Sequence, residues 1–164
     1  MAAVLLLSLV GCTEPTPVSF PMRTVLPFGS LGMMVDNTEV TEKENKSSVL
    51  VHVSISQFDD PVQASVASES WQRWFWLLDD AGNRYKCQYI LPSNYYYRKL
   101  SERDPRGPRA WARTWADETT VTPPREWILW FQAPVDARGF TLIVDNESFG
   151  KRGQPLRLAV PLNR

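Results

Sequence analysis

The sequence is poor in the side chains that most often carry catalysis or bind transition metals. Its 164 residues include two cysteines, Cys12 and Cys87, and one histidine, His52. This inventory excludes a zinc finger and a Cys-x-x-Cys redox pair. A Ser-His-Asp triad would require His52, but no Gly-x-Ser-x-Gly turn accompanies it, so we expect His52 on the polar face or rim of a strand. Cys87 lies in a strand-like stretch, which predicts a buried, unreactive thiol.

The sequence also lacks a net charge and a phosphate-binding signature. Eighteen Lys and Arg residues balance eighteen Asp and Glu residues, so the formal net charge is zero. A protein without excess positive charge has no long-range attraction for nucleic acid, and the sequence therefore predicts no nucleic-acid partner. It contains no glycine-rich phosphate loop, and nothing in it indicates a cofactor or an enzymatic activity.

Two pairs of adjacent acidic residues are the remaining candidates for cation binding. They are Asp59-Asp60 and Asp79-Asp80, and Asn83 offers a further oxygen ligand beside the second pair. Their spacing differs from that of an EF-hand loop. The stretch DDAGN (79–83) also has the composition of a hairpin turn, whose glycine takes a positive φ. The sequence therefore predicts a turn at this place and no metal site.

A short apolar run near the N-terminus ends at Cys12. Residues 2–10 carry no charge and are far fewer than the roughly 20 residues that span a bilayer. The segment LVGC (9–12) resembles the lipobox of bacterial lipoproteins, and this resemblance implies cleavage before Cys12 and acylation of its thiol. The first three residues, MAA, depart from the pattern because they lack the usual positive charge. The alternative is a buried N-terminal strand or helix in which Gly-Cys occurs by chance.

The residues that follow Cys12 are polar and rich in proline. The stretch TEPTP (13–17) suits a flexible tether. We therefore predict a signal peptide at 1–11, a lipidated cysteine with its tether at 12–20, and a domain at 21–164. The residue after the cysteine is Thr13 rather than the Asp that tends to retain Gram-negative lipoproteins at the inner membrane. The resemblance thus implies a lipid-anchored protein of the cell envelope and favours the outer membrane.

The predicted domain shows a mostly two-residue hydrophobic period, which is typical of β-strands. It is clearest in residues 47–58, where four β-branched residues alternate with more polar ones. Further strand signals cover 22–28, 31–41, 71–78, 84–91, 126–132, 140–145 and 156–162. Apart from short stretches within 61–70 or 99–118, no segment has the pattern of a capped helix. We predict an all-β, antiparallel β-sandwich of about seven or eight strands with one long irregular insertion at 92–124.

Three segments, at 47–58, 74–85 and 126–146, together show a family resemblance. They contain a Val-rich strand, an Asp-x-x-Gly-x-x-Tyr turn and a Trp-x-x-x-Phe-x-x-Pro strand, at Asp79, Gly82, Tyr85, Trp127, Phe131 and Pro134. The chain in this respect resembles the immunoglobulin-like extracellular domains of bacterial lipoproteins, of the domain-of-unknown-function 4352 and mycobacterial secreted-antigen type. The resemblance implies an immunoglobulin-like fold and an extracytoplasmic location. It carries no catalytic residues.

The segment at 93–116, SNYYYRKLSERDPRGPRAWARTWA, mixes aromatic and basic side chains. Such mixtures are typical of recognition surfaces, because aromatic rings and guanidinium groups bind strongly at low entropic cost. The candidate partner-binding residues are Tyr95, Tyr96, Tyr97, Arg98, Arg109, Trp111, Arg113 and Trp115. Suitable targets are an envelope protein, a glycan stacked on the rings, or an anionic envelope polymer. The alternative is that the two tryptophans, four residues apart, form the buried face of a helical turn beside solvated arginines.

These observations together predict a non-catalytic lipoprotein, held at the membrane by acyl chains on Cys12. Its expected role is that of a binding or structural component of a cell-envelope assembly, with a protein partner. The second hypothesis is a carbohydrate- or peptidoglycan-binding module, which would require a row of exposed, coplanar aromatic rings. The burial of Trp111 and Trp115 decides between the interpretations of the 93–116 segment.

Overall fold

The structure is a computed structural model, and it describes residues 16–28, 31–57, 72–118, 125–145 and 157–162. The predicted signal peptide and Cys12 lie outside the described residues. The secondary-structure elements are β1 (Val18–Ser19), β2 (Val25–Phe28), β3 (Leu31–Lys43), β4 (Lys46–Gln57), β5 (Phe75–Leu78), β6 (Arg84–Pro92), α1 (Ser93–Ser101), α2 (Pro108–Glu118), β7 (Arg125–Pro134), β8 (Thr141–Asp145) and β9 (Arg157–Pro161). Among the described residues, no helix combines the length and apolarity required to cross a membrane.

The nine strands form one continuous, curled sheet in the order β1-β9-β8-β5-β6-β7-β4-β3-β2. Every neighbouring pair is antiparallel except β1 and β9, which are parallel. Strand β6 pairs with β5 through its first residues and with β7 through its later ones, with an irregularity between Cys87 and Tyr89. We call β2, β3, β4, β7 and the end of β6 sheet 1, and β1, β5, β8, β9 and the start of β6 sheet 2.

The hydrophobic core fills the space between the two sheets. Val49, Val51 and Val53 point inward from β4 and are fully buried, as their alternation predicts. Their register partners on β7 are Phe131, Leu129 and Trp127, which are also buried. Sheet 2 contributes Phe75, Leu77, Leu142, Val144, Leu158 and Val160 to the same cluster. The β part of the prediction is confirmed, but the fold is mostly β rather than all-β, because the described residues also contain two helices.

The ninth strand, β1, was not expected from the sequence. It has two residues, which is too short to display a hydrophobic period, and it lies within the tether predicted at 12–20. Val18 and Ser19 pair with Leu158 and Ala159 of β9, and the Phe20 amide donates to the Ala159 carbonyl at 2.8 Å. The last residues of the predicted tether are therefore part of the sheet.

The insertion at 92–124 is not irregular, and this part of the prediction is wrong. It contains α1 and α2, which form a helical hairpin that packs on the outer surface of sheet 1 against β6 and β7. Helix α1 begins at Ser93, directly after β6. Its N-cap residue, Pro92, makes no side-chain hydrogen bond to the helix, so the sequence lacks the usual signal for a helix start. The expectation of a short helix within 99–118 is confirmed by α2, which begins at Pro108 after Gly107 at φ +74°.

Candidate functional site

The acidic turn between β5 and β6 is held together by one carboxylate. Asp79 Oδ1 accepts a hydrogen bond from the backbone amide of Asn83 at 2.7 Å. Its Oδ2 accepts from the side-chain Nδ2 of Asn83 at 2.9 Å and from the Tyr85 hydroxyl at 2.7 Å. These donors, the Asn83 side chain first, lower the pKa of Asp79. Gly82 has φ +84°, as the turn prediction requires. The Asp-x-x-Gly-x-x-Tyr motif therefore serves the turn.

The cysteine in β6 is enclosed by the core. Cys87 is buried, and its Sγ lies 3.3 Å from the Tyr89 carbonyl oxygen. Burial raises the pKa of the thiol far above its ordinary value, so the nucleophilic thiolate does not form at neutral pH. The expected buried thiol is confirmed at this position.

The single histidine belongs to a small polar cluster on the outer face of sheet 1. His52 Nε2 lies 3.1 Å from Glu39 Oε1, and the Tyr97 hydroxyl donates to the same oxygen at 2.9 Å. The rings of His52 and Tyr97 stack with centroids 6.3 Å apart. Burial and the Glu39 carboxylate raise the pKa of Tyr97 to about 12. This cluster fastens α1 to β3 and β4, and it places His52 on the more polar face of β4, as the alternation in that strand predicts.

Three of the residues predicted to bind a partner are buried, so the prediction is wrong for them. Tyr95 and Tyr96 are each 8 % exposed and Trp111 is 4 % exposed. The Tyr96 ring meets Trp111 and Trp130 edge to face, at centroid distances of 6.0 Å and 6.1 Å. These rings belong to the hydrophobic core cluster and extend it over the outer surface of sheet 1. They do not form the coplanar exposed row that glycan stacking requires.

The other predicted partner-binding residues are exposed where the structure describes their side chains. Tyr97 is 41 % exposed, and Arg98, Arg109 and Arg113 are exposed to solvent. Arg109 and Arg113 are four residues apart on α2, on the side opposite to Trp111. The side chain of Trp115 lies outside the described residues. Burial of Trp111 under exposed arginines is what the helical alternative predicted.

The sequence analysis did not select Leu100, Arg103 and Arg106, which are exposed on the same hairpin. Leu100 is 53 % exposed at the end of α1. Residues 93–114 carry six Lys or Arg and two acidic residues. We define the arginine surface as the exposed residues Arg98, Leu100, Arg103, Arg106, Arg109 and Arg113. The sequence signal for this surface is the excess of basic over acidic residues in this segment of a chain with zero net charge.

The turn between α1 and α2 is fixed by Asp104. Its carboxylate accepts from the Arg106 guanidinium at 2.8 Å and 3.0 Å and from the Arg106 amide at 3.0 Å, and Lys99 Nζ lies 3.8 Å away. These Arg106 hydrogen bonds hold the pKa of Asp104 well below its ordinary value. The carboxylate therefore stays ionised, and it keeps the turn in one conformation beneath the exposed arginines.

A groove of ≈ 550 Å³ lies on the outer surface of sheet 2. It is lined by Thr16, Pro17, Trp76, Leu78, Arg84, Ile143, Asp145 and Arg157, and we call it the Trp76 groove. Trp76 Nε1 donates to the Arg73 carbonyl at 3.0 Å, and Lys86 Nζ lies 5.8 Å from the centre of the indole ring. Arg157 Nη2 donates to Asp145 Oδ2 at 3.1 Å. The sequence predicted a strand at 71–78 but no groove beside it.

Within the described ranges, no group of three or more His, Cys, Asp or Glu side chains is arranged to hold a metal ion. The Ser54 hydroxyl donates to Asp36 and not to His52, so these side chains do not form a nucleophile–base pair. What the described surface offers is a rigid basic hairpin on sheet 1 and an aromatic, basic groove on sheet 2.

Comparison with known proteins bears on the fold. No protein-family model matches the sequence, and no curated protein matches it. The chain is similar to an uncharacterized β-sandwich protein from Clostridium difficile 630, with a TM-score of 0.50 and 9 % identity over 92 % of this chain and 99 % of that one. A likeness at this identity concerns the backbone alone. Together with the curled antiparallel sheet, it shows that this chain has a mostly β fold of the sandwich type.

Proposed function

We propose that this protein is a membrane-anchored, extracytoplasmic lipoprotein that acts without catalysis, as a binding component of a cell-envelope assembly. The observation that carries the binding role is the arginine surface on the α1–α2 hairpin. The anchor is the acylated Cys12 of the LVGC segment, and the outer membrane is the favoured location. The occupant of the arginine surface is an acidic surface of an envelope protein.

The charge and rigidity of the hairpin support a protein partner. Guanidinium groups bind carboxylates through paired hydrogen bonds, which give directional recognition that a diffuse charge does not. Asp104 fixes the turn through Arg106 and Lys99, so the backbone of the turn does not have to be ordered when a partner binds. Leu100, exposed among the arginines, supplies an apolar contact of the kind that interfaces bury at their centre.

The strand order supports an immunoglobulin-like architecture, which we propose as the finer description of the fold. In that architecture one sheet has the order A-B-E-D and the other has C-F-G. Here β3-β4-β7-β6 reproduces the first order and β5-β8-β9 the second. The helical hairpin then lies between strands D and E. This agrees with the family resemblance of the Asp-x-x-Gly-x-x-Tyr and Trp-x-x-x-Phe-x-x-Pro segments.

The glycan hypothesis loses its support on the hairpin. It relied on Tyr95, Tyr96, Tyr97 and Trp111 as a stacking platform, but three of these rings are buried, and Tyr96 and Trp111 meet edge to face. A lone exposed Tyr97 does not make such a platform. We therefore propose a protein rather than a carbohydrate as the partner of this surface.

A crosslinked pull-down from intact cells tests the protein partner. The variant is Arg109→Gln with Arg113→Gln, which removes two charges and leaves the buried rings in place. The matched control is Lys43→Gln with Lys46→Gln, which removes two exposed charges at the β3–β4 turn. We expect a specific envelope protein to be lost from the arginine variant and retained by the control. The same proteins in all three samples, or none in any, would contradict the proposal.

Metabolic labelling tests the anchor. Cells that express the full chain are supplied with labelled palmitate, beside cells that express Cys12→Ala. We expect label on the wild-type chain and none on the variant, in which the buried Cys87 remains. An unlabelled wild-type chain would show that the LVGC segment is not a lipidation site.

A further inference from the structure

The Trp76 groove is close to the proposed anchor along the chain. Thr16 and Pro17 line the groove, and four residue steps separate Thr16 from Cys12. A fully extended chain covers at most about 3.6 Å per residue, so the Cα of Thr16 lies within about 14 Å of the Cα of Cys12. An acyl chain on Cys12 therefore brings this groove into reach of the lipid headgroups.

The groove has the chemistry of a membrane-interface surface. Trp76 forms an aromatic patch with Leu78 and Ile143 beside it, and tryptophan is enriched at the level of lipid headgroups. Three cations adjoin this patch, namely Arg84, Arg157 and Lys86. Among the described residues that line the groove, Asp145 carries the carboxylate, and it is bound to Arg157. Lys86 is exposed beside the indole ring, so its ammonium group is open to an anionic group of the bilayer.

We propose that the Trp76 groove rests on the membrane that holds the anchor and binds the phosphate groups of anionic lipids. This inference rests on the proposed acylation of Cys12, because the acyl chain supplies the proximity. Lys86 contacts the phosphates, and the apolar patch around Trp76 contacts the boundary between headgroups and acyl chains. The arginine surface, on the outer side of the other sheet, then faces away from the membrane.

Vesicle co-sedimentation tests the groove without the acyl chain. The full chain carrying Cys12→Ser is mixed with vesicles of equal parts phosphatidylglycerol and phosphatidylcholine, or with phosphatidylcholine alone. We expect binding to the anionic vesicles that weakens as salt is added. Each basic side chain near an anionic surface contributes roughly fivefold to binding. Lys86→Gln should therefore lower the partition coefficient about fivefold, and the hairpin control Arg113→Gln should leave it unchanged.

A single-cysteine probe tests which surface touches the membrane. In the Cys12→Ser chain the remaining Cys87 is buried and unreactive, so a fluorophore attaches to an introduced cysteine alone. Thr16→Cys places the fluorophore at the groove, and Arg113→Cys places it on the hairpin. We expect lipids that carry a nitroxide at the headgroup to quench the first fluorophore and not the second.

The outcomes separate this inference from the proposed function. Equal binding to both kinds of vesicle, no binding, or equal loss in Lys86→Gln and Arg113→Gln would overturn the groove proposal. Quenching at the hairpin rather than at Thr16 would also overturn it. If cells leave Cys12 unlabelled while the Cys12→Ser chain still binds anionic vesicles through Lys86, the groove proposal stands and the anchor fails.

Discussion

Trp111 shows how a side chain that looks suited to binding can instead be part of the core. Trp111 belongs to α2. Its ring is buried edge to face with Tyr96, on the side of the helix opposite Arg109 and Arg113. A helix with a buried row of aromatic residues and an exposed binding surface can have the same residue composition when arginines occur between the aromatic residues. The difference lies in what covers the rings, and here the covering surface is the outer side of sheet 1.

Replacing Trp111 should therefore affect stability rather than recognition. Removing a buried Trp side chain leaves a cavity, and Trp111→Ala should lower the free energy of unfolding by about 3 to 5 kcal/mol. Arg113→Ala, one half-turn away on the exposed side, should change it by less than about 0.5 kcal/mol. Urea denaturation followed by circular dichroism measures both. A Trp111→Ala protein as stable as the parent would show that the indole is not part of the core.

The Asp79 turn makes a prediction about acid stability. Hydrogen bonds lower the folded-state pKa of Asp79 below its ordinary value of 3.8, so this carboxylate stabilises the folded state above that pH. The contribution is lost as the pH falls through the folded-state pKa. Tyr85→Phe removes one donor, which raises the folded-state pKa towards the ordinary value.

We therefore expect Tyr85→Phe to be less stable than the parent at neutral pH. We also expect the variant to lose less free energy of unfolding than the parent does as the pH falls below about 5. Urea midpoints measured across this range compare the two proteins. Leu78→Val, at the end of the neighbouring strand and without a titratable group, is the control for general destabilisation. An identical pH dependence in the parent and Tyr85→Phe would mean that the Tyr85 hydroxyl does not stabilise the Asp79 carboxylate.

The hairpin of α1 and α2 is the element that the sequence predicted least well. Its first helix contains three consecutive tyrosines, which favour strands, and it starts without a side-chain cap. Its helical conformation depends on burying Tyr95 and Tyr96 against the paired strands β6 and β7. A local pattern carries no information on that packing. By contrast, α2 has Pro108 at its first position and aromatic residues four apart, and it was within reach of sequence analysis.

Two glycines in connecting segments differ in what surrounds them. Both have positive φ, +74° at Gly107 before α2 and +62° at Gly139 before β8. A Cβ on Gly107 would meet no atom within 4 Å, whereas one on Gly139 would lie 2.9 Å from the Asp80 Cβ. The Asp80 amide donates to the Arg138 carbonyl at 3.0 Å, so the two turns are held together and cannot easily separate.

Alanine at these positions should therefore have unequal effects. Gly107→Ala places a side chain in a left-handed conformation and should cost about 1 to 2 kcal/mol of unfolding free energy. Gly139→Ala adds a steric overlap to the same strain and should cost more. Thermal unfolding of the two variants compares them directly, and each serves as the control of the other. A larger effect at Gly107 would contradict the close packing of the Asp79 turn against the segment before β8.

Over the whole molecule, the alternation of apolar and polar residues along the strands made the fold class predictable. It did not predict what packs on the outer surfaces of the two sheets. The inward-facing valines of β4 fix one side of sheet 1, and this pattern is visible in the sequence. Residues 71–78 and 126–132 are apolar on both faces of their strands. This pattern predicts that something packs on the outer face, but it does not identify what packs there. On β7, the α1–α2 hairpin packs on the outer face, where it encloses Ile128 and contacts Trp130. In β5 the outward Trp76 forms a groove instead.

The two outer surfaces of the sandwich carry the two proposed contacts, so the protein should have a fixed orientation on a membrane. The Trp76 groove, beside the chain that leads to Cys12, would face the lipid. The hairpin on sheet 1 would face the partner. Amine labelling of the acylated full chain in anionic vesicles tests this, because Lys86 lies beside the groove, next to Trp76, while Lys43 and Lys46 lie at the exposed β3–β4 turn.

A membrane-impermeant amine reagent, followed by mass spectrometry of the peptides, should modify Lys86 several-fold more slowly on vesicles than in detergent. Lys43 and Lys46 should react equally in both, because an exposed ammonium away from the bilayer keeps its hydration. Slower reaction at all three lysines would indicate a domain that lies on the bilayer without a preferred orientation. Unchanged reaction at Lys86 would mean that the acyl chain holds the domain at a distance, because a bound phosphate would shield the amine.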